Sequence, residues 1–194
     1  MSLSRQQLTL LGIFALFLGP LILVILMRSP WWQYQPSGMK NLGYLVQPPV
    51  QLPLESANEF GDRWLILYVL DSECDQACIN HVTSLRQIHK ATGRKSKHLG
   101  VVLLGDTPLK PETRSELESI YPEFQIIIET NTAASAVLDE VNADVTAGSG
   151  GSVVAHTYIL DPMLNVILAY GENSNPGDIL TDIKRLLKWS EQES

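Results

Sequence analysis

The sequence predicts an α/β domain in which a mixed β-sheet lies between helices, preceded by one N-terminal transmembrane helix. Two observations support this prediction. Beyond residue 54, short apolar runs of strand length alternate with segments of helical periodicity. Before them, residues 8–27 form a run without a single charged side chain.

Composition limits the classes of protein that need to be considered. The chain has 194 residues, of which 45% are hydrophobic, 18% are charged and two are cysteines. These values exclude a collagen-like chain, a disulfide-stapled miniprotein and a largely disordered chain. All 21 acidic residues follow residue 40. Because such an acidic surface repels phosphate backbones, nucleic-acid binding is not expected.

The uncharged run fits a membrane anchor. At about 1.5 Å per residue, residues 8–27 span about 30 Å, the thickness of the hydrocarbon layer. A cleaved signal peptide is the alternative, but its apolar run is usually shorter and precedes a small-x-small cleavage pattern, which is absent here. Trp31, Trp32 and Tyr34 would then form an interfacial aromatic belt. We assign residues 1–7 to an N-terminal tail.

A proline-rich tether is expected between the anchor and the folded domain. It covers residues 28–53, where Pro48, Pro49 and Pro53 oppose a regular helix or a central strand. An edge strand could still form at residues 43–46.

The remaining part, residues 54–194, is expected to form one domain with its own hydrophobic core. Five strands are predicted, at residues 64–70, 99–104, 125–129, 156–160 and 166–170. Helices are predicted at residues 77–92, 111–121 and 133–141 and at the C-terminus, with a flexible glycine-rich loop at 147–152. Strand–helix units followed by a hairpin and a final helix follow the thioredoxin-like order.

The most informative segment contains the only two cysteines, Cys74 and Cys78, where the first strong strand leads into the first long helix. Side chains four residues apart on a helix lie about 5–6 Å from each other, close enough to form a disulfide or to share one soft metal ion. The helix N-terminus favours the thiolate form, whereas Asp71, Glu73 and Asp75 oppose it. We therefore prefer a redox or metal site to an inert buried pair, with a slight preference for metal.

A copper ion held by two thiolates usually takes a third soft or borderline ligand, and histidine can supply it. His156 is the principal candidate, although a structural role is equally compatible with its position. His81 is a weaker candidate on the same helical face as the cysteines. His89 and His98 are expected to be solvated. No nucleotide-binding, serine-hydrolase or zinc-protease motif is present, and the sequence leaves open whether the chain is an enzyme.

These features together resemble the SCO/SenC family of cytochrome c oxidase assembly factors, over residues 42–190. The resemblance is based on the anchor, the tether, the strand that leads into Cys74-x3-Cys78, the Asp-Thr-Pro segment at residues 106–108 and the late histidine before an Ile-Leu-Asp-Pro turn. It implies a thioredoxin-like domain that binds copper through Cys74, Cys78 and a distal histidine, for which His156 is the candidate. It also implies a single-pass protein of the inner (cytoplasmic) membrane whose folded domain is extracytoplasmic. The basic residues that flank the anchor do not decide this orientation, because their numbers on the two sides are nearly equal.

The chain departs from the family pattern at the site itself. Family members commonly have proline after each motif cysteine, where this chain has Asp75 and Ile79. The family's histidine stands about eight residues before the aspartate of the turn, near Val153, and a shift of three residues along a strand reverses the facing of a side chain. His156 is five residues before Asp161. The facing of His156 therefore decides between a complete copper site and a pair of thiols.

Three functions follow from this sequence. The preferred one is a membrane-anchored copper metallochaperone that assists cytochrome c oxidase assembly, with copper as its metal. The second is a thiol-disulfide reductase for the cysteines of the oxidase copper site. The third is a non-catalytic, membrane-tethered assembly partner. In each case the expected partner is a cytochrome c oxidase subunit or another assembly factor.

Overall fold

The computed structural model describes residues 5–28, 41–54, 57–70, 74–128, 132–149 and 154–190. The chain divides into two compact units, Met1–Lys40 and Asn41–Ser194.

The first unit contains helix α1, Arg5–Arg28, with Pro20 inside it. Among the described residues, no helix combines the length and the apolarity that a membrane crossing needs. The aromatic residues predicted for the interface, Trp31, Trp32 and Tyr34, lie outside the described residues.

The second unit is built around one six-stranded sheet. Its strands are β1 Tyr44–Gln51, β2 Trp64–Leu70, β3 Leu99–Gly105, β4 Gln125–Ile128, β5 Ala155–Leu160 and β6 Asn165–Gly171. Its helices are α2 Gln76–Ala91, α3 Pro111–Ile120, α4 Thr132–Gly148 and α5 Pro176–Ser190. The strand order is β1-β6-β5-β2-β3-β4, in which β2, β3 and β4 are parallel and the other neighbouring pairs are antiparallel. The predicted mixed sheet is confirmed.

The sheet lies between two apolar cores, because successive side chains of a strand point to opposite faces. The α2-side core contains residues of α2, α3 and α5; its members include Ile66, Tyr68, Leu70, Cys78, Val82, Leu85, Leu117, Ile159, Ile179 and Ile183. The α4-side core contains residues of α4 and β1; its members include Val46, Leu65, Leu67, Leu104, Leu138, Val141, Val145, Ala155, Tyr158 and Leu160. Strand β2 contributes alternate residues to both cores, which explains why its sequence is apolar at every position.

Strand β1 occupies a part of the chain that we had assigned mainly to the tether. It extends well beyond the expected residues 43–46 and pairs with β6. The register of this pairing shifts between Leu45 and Val50, the interval that contains Pro48 and Pro49. Proline has no N–H to donate, so an edge strand with an irregular register is where the fold can accommodate both residues.

Helix α4 is longer than the sequence pattern predicted. The expected end was residue 141, but the helix continues to Gly148. Val141 and Val145 are both buried, so one further apolar turn packs on the sheet. The first residues of the predicted glycine-rich loop are therefore helical, and residues 150–152 lie outside the described residues.

A buried carboxylate joins the segment before β1 to the C-terminal helix. Asp182 of α5 is 2% exposed, and its Oδ2 accepts hydrogen bonds from the backbone N–H groups of Leu42 (2.7 Å) and Gly43 (3.0 Å) and from the Tyr170 hydroxyl (2.9 Å). Arg185 donates to its other oxygen at 3.1 Å. Burial, assisted by the negative charge of Asp182, raises the pKa of Tyr170. Asp182 thus satisfies donors from three separate parts of the chain.

Replacing Asp182 with alanine is expected to destabilise this unit by about 3 kcal/mol or more, because four donors, including the buried Tyr170 hydroxyl, lose their acceptor. The measurement is the free energy of unfolding in urea for the purified full-length chain. Asp62→Ala, at an exposed position, is the matched control and should change stability by less than about 0.5 kcal/mol. Similar stabilities for the two variants would contradict the role assigned to Asp182.

Candidate functional site

The structure joins Cys74 and Cys78 in a disulfide, with their Cα atoms 5.2 Å apart. This separation is ordinary for a disulfide. These two residues are the two cysteines of the chain. The pair lies between the end of β2 and the first turn of α2.

Asp75 fixes the local geometry by capping helix α2. Its side-chain Oδ1 accepts a hydrogen bond from the backbone N–H of Cys78 at 3.0 Å, and its carbonyl accepts one from the N–H of Ile79 at 3.0 Å. Aspartate is among the preferred residues at this position. The carboxylate also offsets the positive end of the helix dipole, which would otherwise stabilise a thiolate on the reduced pair. The acidic residue that the sequence placed beside the cysteines therefore has a definite structural role.

The two sulfur-bearing residues differ in exposure. Cys78 is 9% exposed and belongs to the α2-side core, whereas Cys74 is partly exposed and packs against the edge of that core. A thiol approaching from solution therefore reaches the sulfur of Cys74 more readily than that of Cys78.

His81 lies on the same helix, three residues after Cys78. Its ring stacks on Tyr68 with the centroids 4.5 Å apart, and its Nε2 is 2.9 Å from the hydroxyl oxygen of the buried Thr157. Burial lowers the pKa of His81, the charge of His156 lowers it further, and Glu172 opposes both effects. The structure therefore favours a neutral imidazole held between α2, β2 and β5.

His156 lies in strand β5, and its charge reaches His81 of helix α2. It lines a cavity of about 800 Å³ together with Leu138 and Asn142 of α4. Among the residues that the structure describes, no group of three or more histidine, cysteine and acidic side chains could hold a metal ion. The assignment of His156 as a copper ligand stays a prediction.

His89 corrects an expectation from the sequence. It was expected to be solvated, but it is only 6% exposed. Its Nε2 donates to the carbonyl of Leu99 at 2.9 Å, and its Nδ1 is 3.1 Å from the hydroxyl oxygen of Tyr121. His89 follows the buried Val82 by seven residues, so it falls on the buried face of α2, and this spacing was visible in the sequence. His98 is exposed, as expected.

A mixed sheet in this order, with a cysteine pair where the first central strand meets its helix, defines a thioredoxin-like protein. The chain belongs to the family described as transmembrane-like, thioredoxin-like, C-terminal domain, whose model matches residues 64–190. No curated protein sequence matches the chain.

Solved structures with the same fold include several Sco proteins. Apo Sco1 from Thermus thermophilus is 13% identical with a TM-score of 0.53, and the match covers 77% of this chain and 99% of that one. Yeast Sco1 with copper bound is 16% identical with a TM-score of 0.52, covering 78% of this chain and 95% of that one. A yeast mitochondrial 1-Cys peroxiredoxin is 16% identical with a TM-score of 0.50, and the match covers 74% of this chain and 75% of that one. The predicted resemblance to the SCO/SenC family is thus confirmed at the level of the fold.

Proposed function

We propose that this chain is a membrane-anchored thiol-disulfide exchange protein whose reactive group is the Cys74–Cys78 pair. The observation that supports it most directly is the disulfide itself, formed at a helix N-terminus between a partly exposed and a nearly buried cysteine. In thiol-disulfide exchange one sulfur must be open to attack while the other must be close enough to complete the reaction.

The reaction uses the reduced pair as the electron donor. The Cys74 thiolate attacks one sulfur of a client disulfide, forms a mixed disulfide and expels the other client sulfur as a thiolate. The Cys78 thiolate then attacks the Cys74 sulfur, which closes the Cys74–Cys78 disulfide and releases the second client thiolate. Water supplies the protons that the client thiols take up. An external dithiol donor must afterwards reduce the pair for another cycle.

The proposed partner follows from the resemblance to assembly factors. It is a cysteine pair of a cytochrome c oxidase copper site, or another assembly factor that carries a disulfide. Reduction of such a pair would make its thiolates available to copper, because the disulfide form cannot act as a pair of thiolate ligands.

Trapping of mixed disulfides tests this proposal. The Cys78→Ser variant should accumulate a mixed disulfide with a disulfide-containing peptide, because the residue that resolves it is gone. The Cys74→Ser variant should form a mixed disulfide at about one tenth of that rate or below, because its remaining thiol is nearly buried. The measurement is the rate of adduct formation by mass spectrometry on the full-length chain.

The double Cys74→Ser, Cys78→Ser variant is the control and should form no adduct. Equal trapping rates for the two single variants would contradict the assigned order of attack. Failure of both to form an adduct would contradict exchange altogether and leave copper delivery or a non-catalytic assembly partner.

Copper delivery is the second candidate, with Cu(I) as the cargo. It is supported by the chemistry of the donor pair, since two thiolates within disulfide distance suit a soft ion, and by the fold shared with Sco proteins that have been solved with copper bound. The third ligand proposed from the sequence is His156. Copper binding and the disulfide exclude each other, because both use the same two sulfurs.

A Cu(I) titration separates the two candidates. The reduced full-length chain should bind about one equivalent, since one pair of thiolates is available, while the oxidised chain and Cys74→Ser should bind none. His156→Gln should weaken binding if His156 is a ligand, and His98→Gln, at an exposed position, is the matched control. Absence of binding by the reduced chain above the level of Cys74→Ser would eliminate copper delivery.

We further propose, from the uncharged run of residues 8–27 in the sequence, that the N-terminal segment anchors the chain in the cytoplasmic membrane, with the second unit on the extracytoplasmic side. The uncharged residues 8–27 within the helix support an anchor, and a thiol-disulfide function fits an oxidising compartment.

A membrane-impermeant maleimide applied to reduced intact cells tests the proposed side. It should label wild type, because both native cysteines belong to the extracytoplasmic unit. A Ser2→Cys variant without the native cysteines should be labelled only after lysis. The reverse labelling pattern would overturn the proposed orientation, and recovery of the chain outside the membrane fraction would overturn the anchor.

A further inference from the structure

A cavity of about 800 Å³ opens at the carboxyl ends of β2 and β3, on the side of the sheet that α4 covers. Its floor is aliphatic and consists largely of Leu70, Leu104 and Leu138. Two carboxylates, those of Asp106 and Asp139, lie among its exposed lining residues. Its volume is within the range of pockets that bind ligands, about 300–1,000 Å³.

The wall of the cavity between α4 and β5 is held by hydrogen bonds of its own. The Asn142 side chain donates to the carbonyl of Ala155 at 3.0 Å and accepts from its backbone N–H at 2.7 Å. The buried Tyr158 hydroxyl donates to the same carbonyl at 3.0 Å. Because these polar groups satisfy one another, the wall is preformed and does not depend on a ligand.

The permanent charges of the cavity lining are negative, and the imidazole of His156 is its titratable basic group. Asp106 and Asp139 line the cavity, and none of the lining residues that the structure describes is a lysine or an arginine. Burial, with a contribution from the negative charge of Asp139, raises the pKa of Tyr158, so the phenol stays neutral. The cavity thus combines an aliphatic floor with an acidic rim, which matches the aliphatic stem and the cationic head of a lysine or arginine side chain.

The cavity and the cysteine pair both lie near the carboxyl end of β2. Leu70, the last residue of β2, lines the cavity and is also a member of the α2-side core that contains Cys78. Cys74 follows four residues later. A client held in the cavity is therefore held beside the end of the strand that leads into the disulfide.

We propose that this cavity binds a lysine or arginine side chain of the client polypeptide and thereby selects basic client segments for exchange at Cys74. The inference builds on the proposed function and names the chemistry of its partner. All 21 acidic residues of the chain follow residue 40, so the field of the second unit also favours the approach of a basic segment.

Binding is tested separately from redox chemistry with cysteine-free peptides. The probe is an acetylated octapeptide of glycine and serine with one central arginine, compared with the same peptide carrying glutamine, and both are titrated into the oxidised full-length chain by NMR. The arginine peptide should bind about threefold to tenfold more tightly, as expected for contacts with exposed carboxylates.

Two variants test the site itself. The double variant Asp106→Asn, Asp139→Asn should lower the affinity for the arginine peptide to that for the glutamine peptide. Thr107→Lys, at an exposed lining position, should do the same by supplying a competing cation. The matched control is the double variant Glu116→Gln, Glu140→Gln, which removes two exposed charges outside the cavity. It should still bind the arginine peptide more tightly than the glutamine peptide.

Equal affinities of wild type for the two peptides would overturn the proposal, as would a preference that survives Asp106→Asn with Asp139→Asn. If agmatine binds and the arginine peptide does not, the occupant is a small free cation and the proposal is also overturned. None of these results affects the trapping of mixed disulfides by Cys78→Ser, so failure of the cavity and failure of the exchange function are distinguishable.

Discussion

The burial of β2 on both faces is the constraint on which the rest of the structure depends. This strand lies between β5 and β3, and its side chains alternate between the two cores, with Leu65, Ile66 and Leu67 fully buried. A strand in that position cannot shift its register without exposing one set of apolar side chains. Its carboxyl end is therefore fixed, and the disulfide follows on one side while the acidic cavity opens on the other.

The cysteine pair can exist in two chemical states, and both proposed functions start from the reduced one. As a disulfide it is an acceptor of electrons, and as a dithiol it is either an electron donor or a pair of soft ligands. Asp75 affects both uses of the dithiol, because its carboxylate caps the helix where a thiolate would otherwise gain most from the dipole. The redox and copper functions therefore compete for the same two sulfurs rather than for separate sites.

Most of the fold was predictable from local patterns, and the exceptions have a common cause. Strands β2 and β3 are apolar at nearly every position, which is the pattern of central strands covered on both faces. Strand β1 gave no such signal, because its prolines argue against a strand and its pairing with β6 joins residues more than 100 positions apart. His89 was misjudged because a histidine near a basic segment suggests solvent, although its spacing from Val82 placed it on the buried face.

The sequence by itself determined the two sulfurs of the site, their common helix start and the alternation of strands and helices around them, because each of these depends on spacings of a few residues. Only the tertiary structure decided the surroundings of His156 and the existence of the acidic cavity. Both depend on the packing of α4 against the ends of β2, β3 and β5, whose residues are far apart in the chain. The packing of α5 likewise gave Asp182 its buried role, since its hydrogen-bond donors from outside the helix come from the start of the second unit and from β6.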